Sequence, residues 1–175
     1  MALRWRIHTL RLANALALAG VLIGCVNGTE VDDTARDAAV YRSVVADVVD
    51  RSGVDLDRSE DLPVVFIEAF DVAGIPLKVQ VELVNSFIEQ YEIRFIDHLD
   101  EAVVVDLAGL PVRPNSLLIG LGPIVDDGTV NVRSELYLSA DAVSAYRYTL
   151  VDQDGSWVTV GDPEEIEPEG FVSGS

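Results

Sequence analysis

His98 is the side chain best suited to acid–base chemistry, because a neutral imidazole can accept a proton near neutral pH or bind a metal ion. The 175-residue chain holds one other histidine, His8, which lies in an N-terminal segment of different character. A nucleophilic triad would join His98 to a serine and a carboxylate, yet the sequence contains no G-x-S-x-G motif. Spacing selects neither Ser86 nor Ser116 as the serine, so we predict no triad.

The residues around His98 also form the densest group of possible metal ligands that includes a histidine: Asp97, His98, Asp100 and Glu101. Zinc sites take three or four ligands, usually with more than one histidine or cysteine among them. A polar turn that follows a strand explains the same residues without a metal. We therefore predict no metal site and no cofactor.

An acidic segment, residues 55–61, resembles a calcium-binding loop in the near alternation of its carboxylates. An EF-hand loop that starts at Asp55 would need glycine at its sixth position and glutamate at its twelfth. Those positions hold Glu60 and Phe66, so an EF-hand is excluded. An exposed acidic loop is the favoured interpretation, with weak calcium binding as the alternative.

Two glutamates, Glu68 and Glu82, stand among apolar residues, where burial would raise the pKa of a carboxyl group. Glycoside hydrolysis uses a pair of carboxylates at a defined separation in space. Each glutamate could equally face solvent from an amphipathic element, which is the favoured interpretation. A hydrolase that uses paired carboxylates stays the alternative.

Glycines and aromatic residues of the second half of the chain suggest packing rather than ligand binding. The segment Gly120-Leu121-Gly122-Pro123 lacks the lysine and the spacing of a phosphate-binding loop. Glycines in an apolar strand more often mark a bulge or a close approach. Cross-strand core packing is the usual role of such aromatic residues, with a ligand face or partner interface as the alternative. These residues are Tyr137, Tyr146, Tyr148 and Trp157.

Composition narrows the possible partners. The chain carries 12 Lys and Arg against 30 Asp and Glu, a formal net charge of −18, so no basic patch for nucleic acid can be assembled. Hydrophobic residues make up 49% of the chain, which indicates a folding domain rather than an acidic disordered one. Its single cysteine, Cys25, excludes an internal disulfide.

The N-terminal 25 residues have the layout of an export signal. Three arginines and no acid precede or flank an apolar run over 12–23, which is shorter than the ~20 residues of a membrane span. The run ends in Leu22-Ile23-Gly24-Cys25, which resembles the lipobox of bacterial lipoproteins. That resemblance implies cleavage before Cys25 and attachment of a diacylglycerol and fatty acyl chains, such as palmitate, to this residue. Two or more acyl chains anchor a protein stably.

The lipobox has consequences for location and charge. It implies an extracytoplasmic protein held at the cell membrane or the outer membrane by lipid, and Val26, rather than aspartate, resembles the signal for the outer membrane in a Gram-negative host. Removal of residues 1–24 leaves nine basic against 30 acidic residues, a formal charge of −21. We predict a signal peptide over 1–24, an acidic tether over 25–33, one domain over 34–162 and an acidic flexible tail over 163–175.

Hydrophobic periodicity predicts helices first and a meander afterwards. The predicted elements are a helix over 34–51, a strand over 64–70, a helix over 77–91, a strand over 92–97, an ambiguous stretch over 98–116, and strands over 117–125, 129–138, 143–151 and 156–160. This order predicts an α+β domain in which two N-terminal helices pack on a C-terminal antiparallel meander of about four strands. The closing hairpin, about 45 residues, is similar to that of cone-shaped folds such as the nuclear-transport-factor-2-like and cystatin-like groups.

The sequence thus predicts a lipid-anchored envelope protein with a binding or accessory domain. No catalytic constellation is apparent in it, which favours a non-catalytic protein. The partner, whether protein or small molecule, is open at this stage.

Overall fold

The computed structural model describes residues 33–171, which form two α-helices, one short 3-10 helix and seven β-strands. In chain order these are α1 (Thr34–Arg51), β1 (Val64–Ala69), α2 (Leu77–Phe87), β2 (Glu92–Ile96), the 3-10 helix (Leu99–Glu101), β3 (Ser116–Asp126), β4 (Val130–Ser139), β5 (Ala142–Gln153), β6 (Ser156–Thr159) and β7 (Glu164–Ile166). The signal peptide, tether and Cys25 predictions fall on residues outside this range. No helix in the described range is long and apolar enough to cross a membrane.

The strands form one mixed sheet that curls into a half-barrel, in the order β2-β1-β3-β4-β5-β6, with β7 also paired to β5. β1 lies between β2 and β3 and runs parallel to both, whereas β3 to β6 are antiparallel. The predicted fold of two N-terminal helices on a four-stranded meander, with its likeness to cone-shaped folds, is therefore wrong. β1 separates the two helices in the chain and joins the middle of the sheet.

The physical reason for this strand order is that β1 and β3 are covered on both faces. A strand buried on both faces has a continuous apolar run rather than an alternating one. β1 begins Val64-Val65-Phe66-Ile67, and residues 116–122 of β3 are all buried. Such strands belong in the middle of a sheet, and α2 with its loops forms the crossover that makes β1 and β2 parallel.

Both helices pack on one side of the sheet, called here the first face. The main hydrophobic core lies between the helices and the sheet. α1 contributes its apolar stripe to this core, including Val40, Val44 and Val48, which are 0% exposed. Tyr148 from β5 is buried in the same core, and its hydroxyl donates to Asp47 Oδ2 of α1 at 2.9 Å. The Tyr41 hydroxyl of α1 also donates to the Gly122 carbonyl of β3 at 3.1 Å. Helix and sheet are thus joined by polar contacts as well as by apolar packing.

The opposite side, called the second face, has a smaller core that includes Phe66, Leu118 and Tyr137. The connection over 97–115 and the C-terminal segment over 167–171 supply residues that pack there, among them Val103 and Phe171. The segment over 163–171, predicted to be part of the acidic tail, includes β7. β7 pairs with β5, and the residues after it pack on the sheet.

Two Asp-Gly pairs form the tight turns of the antiparallel part. Gly128 between β3 and β4 has a φ of 105°, and Asp154 and Gly155 between β5 and β6 have φ values of 55° and 85°. Two successive positive φ angles are typical of the type I′ turn that suits hairpin twist. The hairpins predicted at both places are confirmed.

Candidate functional site

Two glutamates occupy one row across the second face. The register pairs Glu68 of β1 with Gly120 of β3, and Gly120 with Glu135 of β4, so all three side-chain positions point to the same side. Because Gly120 has no side chain, the row has a gap between its two carboxylates. These two glutamates have opposite surroundings.

Glu135 is fully buried, and its carboxylate is saturated with hydrogen bonds. Its Oε1 accepts from the backbone N–H groups of Glu169 at 2.8 Å and Gly170 at 2.9 Å, and its Oε2 accepts from that of Phe171 at 3.2 Å. Arg133 donates to Oε1 at 2.7 Å and also to the Glu167 carbonyl at 2.6 Å. Glu135 therefore fastens the C-terminal segment to the sheet.

The pKa of Glu135 reflects this balance. Burial, the largest single influence, raises it, but the three backbone N–H groups and Arg133 together lower it more, so that the pKa lies below its ordinary value of 4.5. The carboxylate is charged at neutral pH. It is occupied in holding the chain and is not available for catalysis.

The ring of Phe70 fills the gap over Gly120. A Cβ atom at Gly120 would lie 1.8 Å from Phe70 Cζ, and one at Gly170 would lie 2.3 Å from the same atom. Phe171 contacts the Phe70 ring edge-on at a centroid distance of 5.0 Å and the Tyr137 ring at 5.2 Å. The C-terminal segment thus reaches the sheet only because two glycines leave room for one ring. The close packing predicted for Gly120 is confirmed, and a bulge follows between Leu121 and Ile124.

An open cleft of about 380 Å³ lies where β1, the turn after β2 and the C-terminal segment meet. It is lined by Glu68, Asp97, His98, Leu99, Asp100, Gly170 and Phe171. Glu101 holds the turn in place, since its Oε1 accepts from the backbone N–H groups of Asp97 at 3.2 Å and His98 at 3.3 Å. Three carboxylates and one imidazole therefore face one hollow with an aromatic wall.

Glu68 is the unusual member of this cleft. Its Oε2 is buried and is the one side-chain atom of that kind, over residues 33–171, that has no hydrogen-bond partner. Burial raises the pKa of Glu68 above its ordinary value of 4.5, His98 opposes the shift, and Asp97 and Glu101 add to it. A buried carboxylate oxygen without a donor costs free energy, so Glu68 is a group in need of a partner.

The structure brings four of the residues that the sequence singled out into the cleft: Glu68, Asp97, His98 and Asp100. Glu82 is exposed on α2, as the favoured interpretation had it. The hydroxyls of Ser86 and Ser116 donate to the carbonyls of Glu82 and Arg113, and neither serine lines the cleft. Within the described range, no three His, Cys, Asp or Glu side chains are placed so that they could hold a metal ion together.

The acidic loop over 55–61 is mostly exposed, and Asp57 accepts from the backbone N–H of Ser59 at 2.8 Å. The four aromatic residues do not share one surface. Tyr148 belongs to the first-face core, Tyr146 and Trp157 pack at its margin, and Tyr137 is buried on the second face. Core packing, the favoured interpretation, is confirmed for them.

Sequence reasoning missed the role of Glu135 and Arg133. Apolar and polar residues alternate along β4, and both of these residues lie on its polar side, which in most sheets faces water. A charged residue next to Tyr137 on the same face is the only signal in the sequence, and it is weak. Comparisons with protein-family models, curated proteins and solved structures find no match for this chain.

Proposed function

We propose that this chain is a lipid-anchored protein of the bacterial cell envelope whose domain binds, without catalysis, a partner that carries a positively charged nitrogen group. The buried Oε2 of Glu68, without a hydrogen-bond donor at the edge of an acidic cleft, is the observation that carries the binding part. The lipobox over residues 22–25 carries the anchoring part.

A cation suits the cleft for two reasons. Glu68, Asp97 and Asp100 place three carboxylates around it against the single imidazole of His98, and an ammonium or guanidinium group offers only donors, as Glu68 requires. The cleft is open enough for a side chain or the head of a small molecule, and Leu99 and Phe171 offer apolar contacts to a hydrocarbon stem. A basic peptide segment or a small amine combines these features.

Binding can be tested with N-acetylarginine amide and its uncharged isostere, N-acetylcitrulline amide. We expect calorimetry at low ionic strength to show binding of the arginine compound that is at least about tenfold tighter than that of the citrulline compound, which corresponds to ~1.4 kcal/mol. Glu68→Gln and Asp97→Asn should each weaken the arginine complex. Equal affinities for the two compounds would contradict the proposal.

The net charge alone could attract a cation, so the matched control is Glu82→Gln. It removes the same charge from an exposed helix position outside the cleft. We expect its affinity to equal that of the native protein. If Glu82→Gln weakens binding as much as Glu68→Gln does, the attraction is diffuse and the cleft is not the site.

Glu68→Gln should also raise the stability at neutral pH, whereas replacing a residue that holds the fold together would lower it. Because the pKa of Glu68 is raised in the folded state, its contribution to stability is present below pH 4.5 and is lost as the pH rises through the folded-state pKa. The glutamine variant should therefore be more stable than the native protein at pH 7, and the difference should shrink towards pH 4. Denaturant unfolding at both pH values measures this, and a variant that is less stable at pH 7 would contradict it.

The anchor has its own test at Cys25. Mass spectrometry of the membrane-extracted protein should find an acylated N-terminal Cys25 and no residue before it. Cys25→Ser should abolish acylation and leave the signal uncleaved, because the thiol that receives the lipid is missing. A native protein with an unmodified N-terminus elsewhere would refute the anchor while leaving the cleft proposal intact.

A hydrolase is the second candidate, because Glu68 with its raised pKa shares the cleft with a second carboxylate, Asp97. Such a pair could serve as acid and base. A panel of p-nitrophenyl glycosides separates the two functions. We expect no turnover, whereas hydrolysis that Glu68→Gln abolishes and Glu82→Gln retains would favour the enzyme.

A further inference from the structure

The outer edges of the two terminal strands, β6 and β2, differ in their hydrogen-bond partners. A helix lies against each terminal strand, α1 against β6 and α2 against β2. At the β6 end, Ser43 Oγ of α1 also donates to the Trp157 carbonyl at 2.5 Å. At the β2 end, no strand among residues 33–171 pairs with the outer edge. Unpaired strand edges are the places where sheets add further strands.

The outward-facing groups of β2 follow from its pairing to β1. The Glu92 N–H donates to the Pro63 carbonyl, which lies on the β1 side. Because backbone groups alternate along a strand, the N–H and C=O groups of Ile93 and Phe95 point away from β1, as does the C=O group of Tyr91. The Tyr91 N–H donates to the Phe87 carbonyl at 2.9 Å. The unpaired edge therefore offers Ile93, Phe95 and the Tyr91 carbonyl for main-chain hydrogen bonds.

A hollow of about 640 Å³ follows the same edge. Its lining includes apolar residues, among them Leu62, Val84 and Ile88. Leu62 is 40% exposed and Ile88 61% exposed, although both are large and apolar. An added strand would lie along the edge and cover this apolar surface.

The sequence of β2 is complementary to itself. If two copies pair antiparallel with Ile93 opposite Ile93, the outward-facing groups of this residue form a hydrogen-bonded pair, and Tyr91 lies opposite Phe95. The same register places Glu92 of each copy opposite Arg94 of the other. Both side chains are half exposed on the second face, where within one chain they pair at 2.8 Å. Opposite charges directly across two strands stabilise the pairing.

We infer that the β2 edge is the contact between two copies of this chain, which pair into one continuous sheet across a twofold axis. A second copy is favoured over a foreign strand for one reason. In a single register of β2 against β2, the unpaired backbone groups find hydrogen-bond partners and each Glu92 lies opposite an Arg94. The surface shares no lining residue with the cleft, whose residues occur on β1, on the turn after β2 and on the C-terminal segment. The inference does not depend on the proposed function.

The test uses the full chain in detergent, with micelles in excess over protein, and measures mass by sedimentation. We expect a concentration-dependent dimer of the native chain. Glu92→Arg makes both cross-strand pairs basic and Arg94→Glu makes both acidic, so each variant alone should dissociate about tenfold more readily. An equimolar mixture of the two variants restores opposite charges across both pairs and should dimerise like the native chain.

Matched controls are Glu165→Arg and Arg42→Glu, which make the same charge changes at exposed positions away from β2. Both should dimerise like the native chain. A native chain that stays monomeric, single variants that dimerise normally, or a mixture no better than its components would each overturn the inference. Circular dichroism spectra and melting curves establish that the variants are folded before they are compared.

Discussion

Replacing Glu135 with alanine is expected to lower the free energy of unfolding by about 3–5 kcal/mol, the usual cost of removing one partner of a buried ion pair. The carboxylate is fully buried. Its loss removes the acceptor of the three N–H groups of residues 169–171 and the buried ion-pair partner of Arg133, which keeps only its contacts to Glu167 and Glu169. Denaturant unfolding measures the change. Hydrogen exchange should in addition show early loss of protection at these three amides.

The matched control is Glu165→Ala, which removes an exposed glutamate of β7 and should change stability by less than about 0.5 kcal/mol. Glu135→Gln should fall between the two, because it retains acceptor capacity but loses the charge. A loss of less than about 1 kcal/mol for Glu135→Ala would mean that the C-terminal segment contributes little to the fold.

The same carboxylate predicts how stability depends on pH. Because the folded-state pKa of Glu135 is lowered, its contribution is present above pH 4.5 and is lost as the pH falls through the folded-state pKa. The stability difference between the native protein and Glu135→Gln should therefore shrink below pH 4.5. This is opposite to Glu68, whose glutamine variant gains on the native protein as the pH rises. If the two variants show the same pH trend, the assignment of their surroundings is wrong.

Gly120→Val is the second change with a large expected effect. Even one added carbon would overlap the Phe70 ring, and overpacking a buried strand typically costs about 1–3 kcal/mol. The ring cannot move without disturbing Gly170 and Phe171, which pack on its other sides. Thermal unfolding measures the loss, and hydrogen exchange should show that it extends to the C-terminal segment.

A double-mutant cycle with Phe70→Ala isolates the overlap. Phe70→Ala by itself should destabilise the protein by removing ring packing, but in the absence of the ring Gly120→Val should cost much less than it does in the native protein. The control is Gly122→Val, since a Cβ there meets Arg133 and not Phe70, and Phe70→Ala should not relieve it. Additive effects of Gly120→Val and Phe70→Ala would contradict the proposed packing.

Local pattern was sufficient for most individual elements. Apolar spacing placed α1 over the residues that the structure shows, and alternation with Asp-Gly pairs placed the strands from β3 to β6. Local pattern could not predict the strand order of the sheet. Between the end of β1 at Ala69 and the start of β3 at Ser116 lie 46 residues, which include α2 and β2, so the two strands pair only when this segment has folded. Strand order is a property of long-range burial, which neighbouring residues do not encode.

The candidate site shows the same division. The sequence by itself determined which side chains could do chemistry, since Glu68 and His98 stood out by type and surroundings. It also determined the excess of acid and the resemblance of residues 22–25 to a lipobox. Tertiary structure decided that Glu68 and His98 share a cleft and that Glu135 is buried as a fastener. The reason is physical: a carboxylate has no fixed role until the fold decides which donors reach it. Glu135 meets three backbone amides and an arginine, whereas the buried oxygen of Glu68 meets none among the described residues.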